Sequence, residues 1–139
     1  YEAYEPICIS KKIRLRLEIS ESSYPKFCAD RERLFQILTI FMDNAIHHSI
    51  NNKQIEIKTT AAAKHITFFV TDHGRGIPED DKLYIFNRFY CADKSRTDKS
   101  NFGLGLSIAD ELAKMMNGSV GCEDTDGGGA TFFVKLPLK

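Results

Sequence analysis

Apolar and polar positions alternate over residues 12–19, where Ile13, Leu15, Leu17 and Ile19 are interleaved with Lys12, Arg14, Arg16 and Glu18. A period of two predicts a strand with one buried face. Behind Asp30, a residue able to cap a helix, the spacing changes: Leu34, Ile37, Leu38, Phe41, Met42 and Ala45 recur at i, i+3 and i+4. That predicts an amphipathic helix lying on a core. Alternation returns at Ile55, Ile57 and Thr59, and again at Ile66, Phe68 and Val70, two strands joined as a hairpin across Ala61, Ala62, Ala63 and Lys64. Asp72 continues the parity of the second apolar row.

The glycines between 72 and 78 demand a turn, and a short amphipathic segment with Leu83, Ile85 and Phe86 follows it. Residues 91–101 are almost wholly polar and read as a mobile lid. A second helix opens at Gly103-Leu104-Gly105, with Ile108, Ala109, Leu112, Met115 and Met116 on its core side and Gly118 as its C-terminal stop. A last hairpin pairs Val120 and Cys122 with Phe132, Val134 and Leu136 across Gly127-Gly128-Gly129. Strands and helices do not alternate regularly. The expected architecture is therefore an α/β (α+β) two-layer sandwich, a mixed, mostly antiparallel sheet with helices packed on one face.

Composition narrows the function. The 139 residues predict one domain spanning 1–139, and 42% hydrophobic content with ten Phe can bury a real core. Lys plus Arg and Asp plus Glu both number 19, so the chain has no net charge and no bulk electrostatic footprint for nucleic acid. The longest low-charge apolar stretch, 34–42, is far below the roughly 20 residues that span a bilayer. Cys8, Cys28, Cys91 and Cys122 form no C-x-x-C pair, so zinc and redox-dithiol spacings are missing and reduced thiols are expected. The chain opens at Tyr1 without a Met and reads as one domain of a longer protein.

Three places carry candidate chemistry. On the first helix Ile40, Asn44, His47 and His48 form a stripe beside the apolar face, and Asn is a poor mid-helix residue. At Asp72-His73-Gly74-Arg75-Gly76-Ile77-Pro78, alternation puts a carboxylate on the buried face where the strand ends. Burying it costs several kcal/mol, on the order of a lost ion pair, unless a donor meets it. The exocyclic amine of adenine is such a donor, and the glycines let backbone pass beneath a flat ring. An Asp before Gly is also common in ordinary turns. At Asn101-Phe102-Gly103-Leu104-Gly105-Leu106-Ser107, a glycine-rich turn opens a helix, where free N–H groups and the helix dipole favour phosphate.

Order and spacing join these places: Asn44 precedes Asp72 by 28 residues, and Asp72 precedes Gly103 by 31. With them the chain resembles the catalytic ATP-binding domain of sensor histidine kinases. The run Asp43-Asn44-Ala45-Ile46-His47-His48-Ser49 is similar to the N box and residues 72–77 to the G1 box. Ile85-Phe86-Asn87-Arg88-Phe89-Tyr90 is similar to the F box, and Gly103-Leu104-Gly105-Leu106-Ser107-Ile108-Ala109 to the G2 box. The resemblance covers nearly the whole chain and implies the Bergerat ATP-binding fold, shared with gyrase-type topoisomerases, mismatch-repair ATPases and a dimeric heat-shock chaperone.

The resemblance implies ATP and Mg²⁺ as cofactors. Asp72 would accept from the adenine amine, Gly74, Gly76 and Ile77 would line the base, and the ring of His48 would stack on it. Asn44 would help hold Mg²⁺, with His47 and Phe89 at the same nucleotide site. Gly103, Leu104, Gly105 and Leu106 would supply backbone donors to the phosphates, and Arg88, Lys94 and Arg96 would neutralise the γ-phosphoryl group. That group would go to a histidine on a separate dimerisation domain, and then to a response regulator. The implied whole protein is a membrane-associated homodimer with this domain in the cytoplasm. His47, His48, His65 and His73 lack the following acidic residue and later Pro that surround the family's phospho-acceptor, so the acceptor lies outside this chain.

Five positions depart from the family pattern. Ile40 stands where Asn or Glu is usual, His47 and His48 where Lys and Tyr are, Asn101 at the first glycine of the G2 box, and Ala130 where Thr or Ser is frequent. They motivate a rival reading as a degenerate regulatory module. An anti-sigma-type serine kinase and an ATP-gated clamp share the fold, though a clamp would need a Glu where Ile40 stands.

Overall fold

The period-two segments become a single five-stranded sheet in the computed structural model, which describes residues 1–19, 27–49, 54–88, 90 and 104–138. Its strands are β1 (Arg14–Ile19), β2 (Gln54–Ala61), β3 (His65–Asp72), β4 (Ser119–Asp124) and β5 (Ala130–Pro137), in the order β1-β2-β3-β5-β4. β1 and β2 are parallel, and every other pairing is antiparallel. A parallel pair needs a crossover, and the helix Arg31–His48 lies in that connection. This helix lies against β3 and β5, the helix Gly105–Met115 lies against β4 and β5, and the two pack on each other. The expected mixed two-layer architecture is what forms.

The core sits between these layers. Ile37 and Phe41 from the first of these helices meet Ile55, Val70, Phe132 and Val134 from the sheet, all nearly inaccessible, with the Phe41 and Phe132 rings 5.5 Å apart. Asp30 caps the long helix as its sequence predicts, its carboxylate accepting from the N–H groups of Glu32 (3.0 Å) and Arg33 (3.2 Å). Cys8, Cys28 and Cys122 are free thiols, and burial pushes Cys122 up to about 12, far from a thiolate at neutral pH.

Several expectations need correction. The apolar row of β1 is buried only at its start, for Leu17 is 43% and Ile19 55% exposed. β1 is an edge strand whose only neighbour among the described residues is β2, and the two main helices lie against β3, β4 and β5. On the second main helix the fully buried residues are Ser107, Ala109 and Ala113, and Leu112 and Met116 pack against the core as expected, while Met115 is 61% exposed and Ile108 also faces outward. Small residues face inward there because the two helices approach closely: a Cβ on Gly105 would lie 3.4 Å from Ile40 Cγ2. The stop of that helix is Asn117, with φ +58°, rather than Gly118. The N–H of Asn117 donates to Lys114 O (3.0 Å) and that of Gly118 to Ala113 O (2.8 Å), a Schellman closure.

Alternation did not announce the short helix before β1. Numbered in chain order, the helices are α1 (Glu5–Ser10), α2 (Arg31–His48), α3 (Glu79–Lys82) and α4 (Gly105–Met115). α1 is docked by the Tyr4 hydroxyl, which donates to Asp43 Oδ1 on α2 (2.8 Å). It ends in the same closure as α4, with Lys12 N–H donating to Ile9 O (3.0 Å) and Ile13 N–H to Cys8 O (2.8 Å). Here the left-handed residue is Lys12, φ +58°. A side chain with a Cβ pays about 1 kcal/mol in that conformation. Lys12→Gly is therefore expected to raise the thermal midpoint by about 3 °C without touching any other contact, measurable by calorimetry.

Candidate functional site

The site is built where β3 runs out. Parity along β3 sends Ile66, Val70 and Asp72 toward the helices, so the last inward residue of the row is a carboxylate. Asp72 is 1% exposed. Its Oδ1 accepts from Gly74 N–H (2.9 Å) and from Ala130 N–H (3.2 Å). Both bonds fall on one oxygen, and Oδ2 accepts from none of the described residues. Burial pushes the carboxyl above the usual aspartate range, and the two backbone donors with the nearby His73 pull against that rise. An oxygen of this kind is an acceptor in want of a donor.

The turn after Asp72 is gripped from two sides. A Cβ on Gly74 would sit 2.2 Å from the carbonyl oxygen of His48, so the end of α2 lies directly on the turn. On the other side a Cβ on Gly129 would sit 2.1 Å from Asp72 O, which brings the β4–β5 turn against the same backbone. Gly76, with φ +75°, faces Gly129 O. Only glycine fits such approaches. Gly76 and Ile77, with Arg75, Gly128 and Gly129, also line an open cleft of about 270 Å³.

Asn44 lies half-buried on α2, one turn before His48, and the His47 and His48 rings stand edge-on at 5.2 Å. Ile40, one turn before Asn44, abuts Gly105 and so joins α2 to the beginning of α4. That beginning carries no side-chain cap: Leu104 occupies the N-cap, and the Ser107 hydroxyl donates to Leu104 O (2.8 Å). The first-turn N–H groups around Gly105 and Leu106 therefore have no capping side chain among the described residues, the condition that suits an anion. Asn44 offers a carboxamide oxygen, a hard donor that suits Mg²⁺ when phosphates and waters complete the shell. No cluster of three His, Cys, Asp or Glu able to hold a metal by itself occurs among the described residues.

The structure thus brings Asp72, Gly74, Gly76 and the end of α2 together, and sets Asn44 on the helix that leads to them. Arg88 stands exposed in the turns after α3. Phe89, Lys94, Arg96, Asn101 and Gly103, and with them the expected lid, lie outside the described residues. Sequence reasoning missed the backbone role of Ala130. It flagged the lost hydroxyl, but the main-chain N–H is what meets the carboxylate, and no side-chain pattern signals it. The clamp by Gly129 was legible only as a turn.

The chain as a whole is similar to known proteins. Residues 29–139 match the model of the family described as histidine kinase-, DNA gyrase B-, and HSP90-like ATPases. The signal transduction histidine-protein kinase ArlS of Staphylococcus aureus strain USA300 is 34% identical over 142 aligned positions, covering 92% of this chain. The chain spans only 32% of the length of that relative. The catalytic domain of the histidine kinase ThkA, in a nucleotide-free form, superposes with a TM-score of 0.85 at 27% identity, covering 99% of this chain and 88% of that one. Full-length ShkA in complex with AMPPNP gives a TM-score of 0.83 at 30% identity, covering 99% of this chain and 28% of that one. The chain belongs to the family of histidine kinase-, DNA gyrase B- and HSP90-like ATPases, as a catalytic ATP-binding domain of the histidine-kinase type.

Proposed function

We propose that this domain binds ATP with Mg²⁺ and presents the γ-phosphoryl group to a histidine on a dimerisation domain of the same protein, from which it passes to a response regulator. The observation that carries the reading is the buried Asp72, whose two internal bonds occupy Oδ1 and leave Oδ2 for the adenine amine. Gly74, Gly76 and Ile77 then line the base, and the His48 ring lies against it. Asn44 would help hold Mg²⁺, which would supply charge screening at the phosphates. Backbone N–H groups from Gly103 to Leu106 cradle the phosphates, and Arg88, Lys94 and Arg96 offset the charge that develops on transfer. His47 and Phe89 complete the nucleotide site. The whole protein is a membrane-anchored homodimer with this domain on the cytoplasmic side; among the described residues no helix is long and apolar enough to cross a membrane.

The isolated chain is expected to bind ATP in a Mg²⁺-dependent manner by titration calorimetry and to incorporate no labelled phosphate. The full-length protein is expected to incorporate acid-labile phosphate on histidine. Robust labelling of the isolated chain would refute the assignment of the acceptor to another domain. A second reading, a nucleotide-binding regulatory module without transfer, is favoured by Ile40, which abuts Gly105 and cannot ligate metal or move a proton. Nucleotide binding by a full-length protein that never labels would establish it.

A further inference from the structure

The residue after Asp72 points the other way. Asp72 faces the helices, so His73 emerges on the opposite face of the sheet, and its Nε2 lies 3.2 Å from Oε1 of Glu56 on β2. Glu56 is itself held: the Gln54 amide donates to the same Oε1 at 2.6 Å, and Arg16 on β1 is its register partner. Burial works against the Glu56 charge, but the bonds from His73 and Gln54 and the Arg16 cation outweigh it, so its carboxyl sits below the usual range. An ionised carboxylate only accepts, so the His73 Nε2 carries the proton of this bond. The His73 and Glu56 side chains are 23% and 31% exposed, which leaves the contact only partly screened by water.

The backbone between residues 72 and 73 is thus pinned from both faces. Inside, Gly74 N–H and Ala130 N–H hold the carboxylate; outside, Glu56 holds the imidazole. We propose that the His73–Glu56 contact is an outer latch, and His73 a positioning residue, that fixes the angle at which Asp72 presents Oδ2 to a purine amine. The latch rests on the ATP reading. Releasing it lets the peptide between the two residues rotate, and a small rotation there swings a hydrogen-bonding oxygen away from its partner. The latch therefore sharpens selection of adenine, whose amine donates, over guanine, whose carbonyl at that position accepts.

The test is titration of the full 139-residue chain with MgATP and with MgGTP, together with thermal unfolding of each variant without nucleotide. His73→Ala is expected to weaken ATP binding about fivefold, to narrow the ATP-to-GTP ratio by a similar factor, and to move the midpoint by only about 2 °C. His73→Gln, whose amide can reach the same Glu56 oxygen, is expected to recover most of the affinity. The double variant His73→Ala/Glu56→Ala should bind no more weakly than His73→Ala, the signature of one shared contact. Should His73→Ala fail to fold, Glu56→Gln, which keeps an acceptor but removes the charge, carries the expectation at about threefold. Unchanged ATP affinity in His73→Ala, or equal losses for Ala and Gln at 73, would overturn the latch. If the parent binds ATP and Asp72→Asn does not, while His73→Ala binds normally, the latch alone fails; if the parent does not bind, the ATP reading fails with it.

Discussion

Asp72→Asn is expected to weaken ATP binding at least about a hundredfold while the ligand-free domain keeps its fold. The amide oxygen can still accept from Gly74 N–H and Ala130 N–H, so the turn retains both internal bonds. The atom that replaces Oδ2 is then an NH₂ group, and it meets the adenine amine donor to donor. The stability effect has the opposite sign. Burial holds the Asp72 carboxyl above its ordinary value of 3.8, so this group favours folding below that value and ceases to as pH rises through the elevated one. At neutral pH its charge is a cost that Asn does not carry. The ligand-free variant should unfold at a temperature no lower than that of the parent at pH 7, by calorimetry. An unchanged dissociation constant would remove the base-reading role.

Gly129→Ala should be the most damaging single methyl in the domain. Its φ is +113°, and the added carbon would stand 2.1 Å from Asp72 O, 2.8 Å from Asp72 C and 2.7 Å from His73 Cα. All three are main-chain atoms at the head of the site, so none can swing aside. Separating β5 from β3 to relieve the clash would also withdraw Ala130 N–H from the carboxylate. A loss of at least about 3 kcal/mol is expected, lowering the midpoint by about 10 °C or more, with ATP affinity falling in step. Gly127→Ala supplies the control. Gly127 has φ +85° with nothing within 4 Å, so that variant pays only backbone strain, about 1 kcal/mol. Equal losses at the two positions would show that crowding against Asp72 is not what Gly129 avoids.

The legible parts of this fold were those written in periodicity. Alternation located β2, β3 and β5, and the i, i+3, i+4 spacing located α2. The parity of Asp72 with Ile66 and Val70 was readable too, and it predicted a buried acid before any geometry was known. What alternation could not carry was which strand lies beside which. The Ile55↔Asp72 register, which sets Glu56 within reach of His73, depends on pairing across a hairpin. α1 was hidden because six residues are too few for a helical period to show. On α4 Ala109, Leu112 and Met116 were placed correctly and Ile108 and Met115 were not, because closeness to α2 favours Ala and Ser at the most buried positions, whereas hydropathy alone selects large side chains.

The donor that residue 130 offers to Asp72 belongs to the peptide unit, not to the side chain. Every amino acid except proline brings the same N–H to that spot. Replacement of a hydroxyl-bearing residue by Ala therefore leaves the direct support of the acid untouched. Residue 130 is 4% exposed, so small side chains can exchange there while the machinery stays put, and proline is the exchange this support itself forbids.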